Sequence, residues 1–334
     1  MNASANPFLY RFSGWTLLLV LMTAAVVYLT FNQAIASMVG QWGLEEFSHG
    51  YLIPVIALFL VWQRRAELQT MEFGGAWSGC AVVAAGVVLD VLGRLSNQYA
   101  LQQLALLIVV TGLVLALVGW RGLRVLAAAL GVLVFMIPLP PPVLAALSAD
   151  LQMACARWGV ALIRLGGLPV YLQGNIIDMG RYALQVADAC SGLRYLLPLA
   201  TVGYLMACFY QAPFWRRAVL VLSTVPLTVG MNSVRIAAIA FLVNRWGIGL
   251  AKGLAHQVEG WLVFIACIGV MWLEIRALHW LSGDVRALRD AFRLELPVGA
   301  PHQRPQRLRA LPAPLAGAAA TLLVGCAAVH YVFG

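Results

Sequence analysis

The chain has 334 residues, of which 62% are hydrophobic and 10% charged, and its formal net charge is +9. This balance excludes a soluble globular protein. It also gives no reason to expect a nucleic-acid partner, because the basic residues are distributed as membrane topology would distribute them.

Apolar runs of about 20 residues, the length needed to cross a bilayer, recur along the chain. They fall at 15–37, 50–63, 76–93, 101–119, 123–137, 192–210, 215–245, 257–278 and 312–333. Hydrocarbon offers no partner to exposed backbone polar groups, so such runs are helices. The predicted fold is an all-α polytopic membrane protein with about eight to nine transmembrane helices. The runs at 50–63 and 123–137 are short enough to tilt or re-enter. The first run ends in Ala34-Ile35-Ala36, a mimic of a signal-peptidase site, but it is too long for a signal core, so an uncleaved anchor is expected.

With the N-terminus in the cytoplasm, Arg11, Arg64, Arg65, Arg121, Arg124, Arg216 and Arg217 fall inside. The tail arginines 276, 286, 289, 293, 304, 307 and 309 fall inside too, which makes 14 of the 22 basic residues. The positive-inside rule therefore predicts this orientation.

Between 138 and 191 the chain stays out of the membrane. Pro138 to Pro142 contains four prolines that stop the preceding helix. Leu144, Leu147, Leu151, Ala154, Trp158, Leu162 and Leu165 then recur at steps of three and four, with Asp150, Arg157 and Arg164 on another face. That pattern predicts an amphipathic helix on the outer surface. Tyr182, Leu184 and Val186 alternate with Ala183, Gln185 and Ala187. Turns at Gln173-Gly174-Asn175 and Met179-Gly180-Arg181 complete a small β-hairpin that leads to Cys190.

Cys190 differs from the other five cysteines (Cys80, Cys155, Cys208, Cys267 and Cys326), whose surroundings are apolar or helical. It has Asp188 before it, Ser191 after it and Arg194 four residues on, where a thiol can become a reactive thiolate. The span beginning at Arg216 reaches Arg235 after 19 residues, a rise of about 28 Å, which predicts Arg235 at the outer boundary after a kink at Pro226 or Gly230. The helix that must finish inside at Arg276 begins at His256, which predicts His256 at the same depth. Segment 236–255 must then stay at the outer face without crossing again. His256 is suited to general base and acid work, and Arg235 to stabilising a thiolate or an oxyanion. Asn232 adds a donor on the face of Arg235, and Glu259 can orient His256. His49, in Phe47-Ser48-His49-Gly50-Tyr51, competes for the base role. Taken singly, each has a plainer reading: Cys190 as packing, Arg235 as an interfacial anchor, His256 as a solvated helix end, and Asp188 and Arg194 as a pair or a cap.

These motifs resemble the exosortases, multi-pass bacterial enzymes related to archaeosortases. The resemblance rests on Ala189-Cys190-Ser191-Gly192-Leu193-Arg194, on Asn232-Ser233-Val234-Arg235-Ile236, on His256-Gln257-Val258-Glu259-Gly260-Trp261 and on the His49 string. It implies a Cys190, Arg235 and His256 triad without cofactor or metal. It implies a transpeptidase of the inner membrane, its site on the periplasmic side, linked to exopolysaccharide production. The implied substrates are single-span membrane proteins with a C-terminal Pro-Glu-Pro motif, a membrane helix and a basic tail. The acyl group would then pass to an acceptor that the resemblance leaves unnamed. Asp188 and Tyr195 depart from the family pattern, at positions expected not to touch the triad. The matching core is read as residues 1–280, followed by a basic cytoplasmic linker at 281–311 and an additional C-terminal helix at 312–334. A non-enzymatic component of polysaccharide assembly or export is the competing class. A transporter would require intramembrane charges, for which only Asp90 and Glu274 qualify, and no His-Glu-x-x-His string supports a metalloprotease.

Overall fold

The computed structural model describes residues 14–71, 74–186, 193–247, 255–282, 291–292 and 313–333. In chain order the helices are α1 (Gly14–Gln41), α2 (Ile53–Gln63), α3 (Arg65–Thr70), α4 (Ser78–Leu95), α5 (Tyr99–Val132) and α6 (Pro141–Leu165). After them come α7 (Leu193–Phe209), α8 (Phe214–Leu222), α9 (Thr224–Trp246), α10 (Ala255–Leu281) and α11 (Ala313–Phe333). Between α6 and α7 lie β1 (Tyr171–Gln173), β2 (Ile176–Asp178) and β3 (Ala183–Gln185).

Six stretches among the described residues are long and apolar enough to span a membrane: Leu18–Gln41, Ser78–Leu95, Tyr99–Met136, Phe214–Trp246, Leu262–Leu281 and Ala313–Tyr331. Leu193–Phe209 is a shorter apolar helix. The protein is a multi-pass, helical membrane protein. The 38 residues of Tyr99–Met136 would reach about 57 Å as one helix, nearly twice the hydrocarbon thickness. The stretch is in fact broken at Gly119, whose φ of 71° and ψ of −178° suit glycine. The break yields the two runs expected at 101–119 and 123–137, with Arg121 and Arg124 just past the corner.

The chain forms two compact units. The first contains α1 to α5 and α11. Its seam is glycine-lined: a Cβ on Gly79 would lie 2.6 Å from the Ala116 amide nitrogen, one on Gly86 2.6 Å from Val109, and one on Gly93 2.8 Å from Gln102. Residue numbers on α4 rise as those on α5 fall, so the two helices are antiparallel. Gly317 faces Trp77 and Cys80, whereas Gly325 faces Val87, so α11 runs parallel to α4. Ala318 and Leu322 are buried among Phe31, Val83, Ala105 and Val109, which makes the last helix part of this core. A polar tie crosses it: Arg94 Nε donates to Asp90 Oδ2 at 2.9 Å, and the same guanidinium reaches the Thr30 carbonyl of α1.

The second unit contains α6 to α10, the sheet, and residues 45–47 and 291–292. The expected hairpin is a three-stranded antiparallel sheet in the order β1-β2-β3, with Gln173 opposite Ile176 and Asp178 opposite Ala183. Both expected turns are present; Gly174 and Gly180 take φ of 62° and 79°. Val170, Ile177 and Val186 from the sheet region pack with Cys155, Ala156, Val160 and Ile163 of α6 and with Ile236, Ala237 and Ala240 of α9.

The amphipathic face of α6 differs from the expectation. Leu151, Cys155, Ala156, Gly159, Val160 and Ile163 are buried, while Trp158 is 64% and Leu165 85% exposed. Close approach of α9 selects for small side chains: a Cβ on Gly159 would lie 2.9 Å from Ile236, and Ser233 Oγ donates to the Cys155 carbonyl at 3.2 Å. The helix break expected at Pro226 or Gly230 falls at Ser223, between α8 and α9. Pro226 accounts for it, since its missing N–H and its ring disrupt the helix one turn earlier, at the Leu222 carbonyl. Ser223 Oγ donates to Glu274 Oε2 of α10 at 2.7 Å and bridges the break. In the stretch read as a linker, Ala291 and Phe292 dock on the α7–α8 turn: Gln211 N donates to the Ala291 carbonyl at 2.8 Å, and Tyr210 and Phe292 form an antiparallel bridge.

Candidate active site

Cys190, Asp188 and Ser191 lie outside the described residues, but both ends of their segment are well defined. On the upstream side, Val186 N donates to the Asn175 carbonyl at 2.8 Å. The Val186 carbonyl accepts from Asn175 Nδ2 at 3.4 Å and from Gln152 Nε2 of α6. On the downstream side, α7 starts at Leu193, which is buried with Leu196 against Leu151 of α6. The six residues 187–192 therefore connect two points fixed to the same helix.

The first turn of α7 carries two polar contacts. Arg194 Nη1 pairs with Glu45 Oε2 at 2.8 Å, and Glu45 is 65% exposed in this pair. Tyr195 meets Arg235 of α9: Arg235 Nη1 donates to the Tyr195 hydroxyl at 3.4 Å, and Arg235 Cζ lies 5.9 Å from the ring centroid. Tyr195, read as clear of the triad, thus touches one of its members.

Arg235 is 4% exposed, and Asn232, on the same helical face, is 1% exposed. Arg235 stands eleven residues from each end of α9, whose last residue, Trp246, lies one position past the end of the run read at 215–245. Residues 236–246 are the second half of α9, and their inner face packs on α6 and the sheet. They form no separate helix. His256 and Glu259 lie in the opening turns of α10, whose side chains are outside the described residues. In the first unit, His49 Nε2 donates to the Phe135 carbonyl at 3.1 Å, which leaves Nδ1 as the basic nitrogen of that tautomer. Of the other cysteines, Cys155 and Cys267 are buried among apolar neighbours, where a thiol is inert.

Sequence reasoning missed Tyr195, Glu45 and Gln152. Only Tyr195 carried a signal, as a polar aromatic in the first turn of the helix that follows the cysteine.

The family model described as transmembrane exosortase (Exosortase_EpsH) matches residues 42–273. That interval contains Cys190, Arg235, His256, His49 and the whole sheet. No curated protein and no solved structure matches the chain.

Proposed function

The chain belongs to the transmembrane exosortase family, and from that premise we propose that it is a cysteine transpeptidase that processes C-terminal sorting signals. Its substrates are single-span membrane proteins with a Pro-Glu-Pro motif ahead of the membrane helix and a basic tail after it. The observation that carries this reading is the burial of Arg235 against α7, the helix that begins three residues after Cys190. A cation held in a place of low dielectric stabilises a neighbouring thiolate far more than one in water.

The Cys190 thiolate attacks the scissile carbonyl carbon and forms a C–S bond. Negative charge moves to the carbonyl oxygen, where Arg235, supported by Asn232, stabilises it. The tetrahedral adduct collapses, the C–N bond breaks, and His256 delivers to the leaving amine the proton it took from the thiol. An acceptor nucleophile then attacks the thioester, and the thiolate departs. Glu259, one helical turn from His256, orients its imidazole.

The site faces the periplasm and the N-terminus faces the cytoplasm of the bacterial inner membrane, where the activity serves exopolysaccharide production. In this orientation the second half of α9, which packs on α6 and the sheet, is the part that projects on the periplasmic side. Arg235 sits at the base of that projection. The acidic residue of the sorting motif meets Arg194 or Arg181 there.

Co-expression with a signal-bearing protein tests the reading. Wild type converts the precursor, while Cys190→Ala, Arg235→Ala and His256→Ala accumulate it. Unchanged conversion by Cys190→Ala would leave only a non-enzymatic role in polymer assembly.

A further inference from the structure

We infer that Tyr195 is a positioning residue for Arg235, which it ties to the segment carrying the nucleophile; this rests on the cysteine-transpeptidase reading above. Three observations converge on it. Tyr195 is five residues from Cys190 along the chain. It is the third residue of a helix whose first turn is fixed on the apolar side by Leu193 and Leu196 against Leu151. It also makes two contacts to one guanidinium from different parts of its side chain, the hydroxyl at 3.4 Å and the ring face at 5.9 Å.

The hydroxyl contact is longer than an ordinary N–H···O bond and the ring contact is close to the outer limit of a cation–π contact, so neither is a strong anchor for binding. Together they do something that a single contact cannot. The hydroxyl fixes one nitrogen of the fork, and the ring restricts the plane of the guanidinium. A planar cation is useful to a developing oxyanion only when the plane of its fork is turned toward it. Helix α9 carries the arginine, α7 begins three residues after the cysteine, and Tyr195 joins the first turn of α7 to the guanidinium. Small misplacements of such a group cost rate rather than affinity.

Tyr195→Phe keeps the ring and removes the hydrogen-bond acceptor. The expected result with a signal-bearing substrate is a kcat lower by roughly 10- to 100-fold with KM nearly unchanged. The rate of Cys190 alkylation by iodoacetamide at neutral pH falls as well, in parallel with Arg235→Lys, while the unfolding temperature stays at the wild-type value. A Tyr195→Phe protein that matches wild type in kcat and alkylation overturns the inference. So does a loss of kcat with unchanged alkylation in a folded variant. Tyr195→Trp, which fills the space without offering an acceptor, repeats the test if the phenylalanine variant is poorly folded. If the wild type itself fails to cleave, the enzymatic reading fails, and the alkylation comparison still decides whether Tyr195 acts on the arginine and the thiol.

Discussion

Two ion pairs in this protein look alike on paper and differ in what they do. Asp90 is completely buried and takes its Arg94 partner at 2.9 Å within the first unit, whereas Glu45 and Arg194 pair at the surface of the second. Removing Arg94 strands a carboxylate where no solvent can reach it. Arg94→Ala should therefore cost about 3–5 kcal/mol, measured by unfolding in detergent, and replacing both members with apolar residues should cost much less. Glu45→Ala should cost under about 1 kcal/mol, because its charge is largely screened by solvent. The same logic separates the arginines of the site. Arg194 is half exposed and can exchange Glu45 for another acid, while Arg235 is buried and fixed by its surroundings. Neither Tyr195 nor Glu45 could be assigned from sequence, since the contacts they make join residues 40 and 149 positions apart, and periodicity carries no information at that range.

At the scale of elements, glycine has opposite meanings at two places. On α4, Gly86 lets α5 approach so closely that any Cβ would meet Val109 at 2.6 Å. Gly86→Leu should separate the two helices and abolish folded protein in a detergent-solubility assay. A Cβ on Gly230 of α9 meets nothing within 4 Å, so Gly230→Ala should be neutral or stabilising by about 0.5–1 kcal/mol in the same assay. The helix runs were legible because apolar length is a strong signal, and so was the corner at Gly119, which the arginines beyond it mark. The buried face of α6 was not. Ranking residues by hydrophobicity chose Trp158 and Leu165, but the packing of α9 chose Cys155, Ala156 and Gly159, which are small. The turns before Cys190 were read correctly from Gly174 and Gly180, while β1 was too short and too exposed to show alternation.

For the whole molecule, the parallel packing of α4 and α11 constrains topology without any reference to charge. Parallel helices that both cross the membrane begin on one side and end on the other. Asn97→Cys and Gly334→Cys should therefore be labelled by an impermeant maleimide from the same side, and a cysteine at Ala66 should be labelled only from the opposite one. Labelling of Asn97→Cys and Gly334→Cys from different sides would mean that α11 does not cross as α4 does. The orientation proposed above, with an excess of arginines inside, predicts that Ala66 is labelled from the cytoplasmic side. Within the second unit, α6 packs on α9 and the sheet, and its Leu151 and Gln152 hold Leu193 and Val186, the described residues on either side of the nucleophile segment. The central claim is that Cys190 forms a covalent acyl intermediate with the substrate. The most direct measurement is the intact mass of the purified protein after incubation with a signal-bearing substrate in the absence of acceptor. A mass increase equal to the acyl fragment, confined to Cys190, removed by hydroxylamine and absent from Cys190→Ala, is the predicted result. Processing of the substrate without any adduct, and at the same rate in Cys190→Ala, would contradict it.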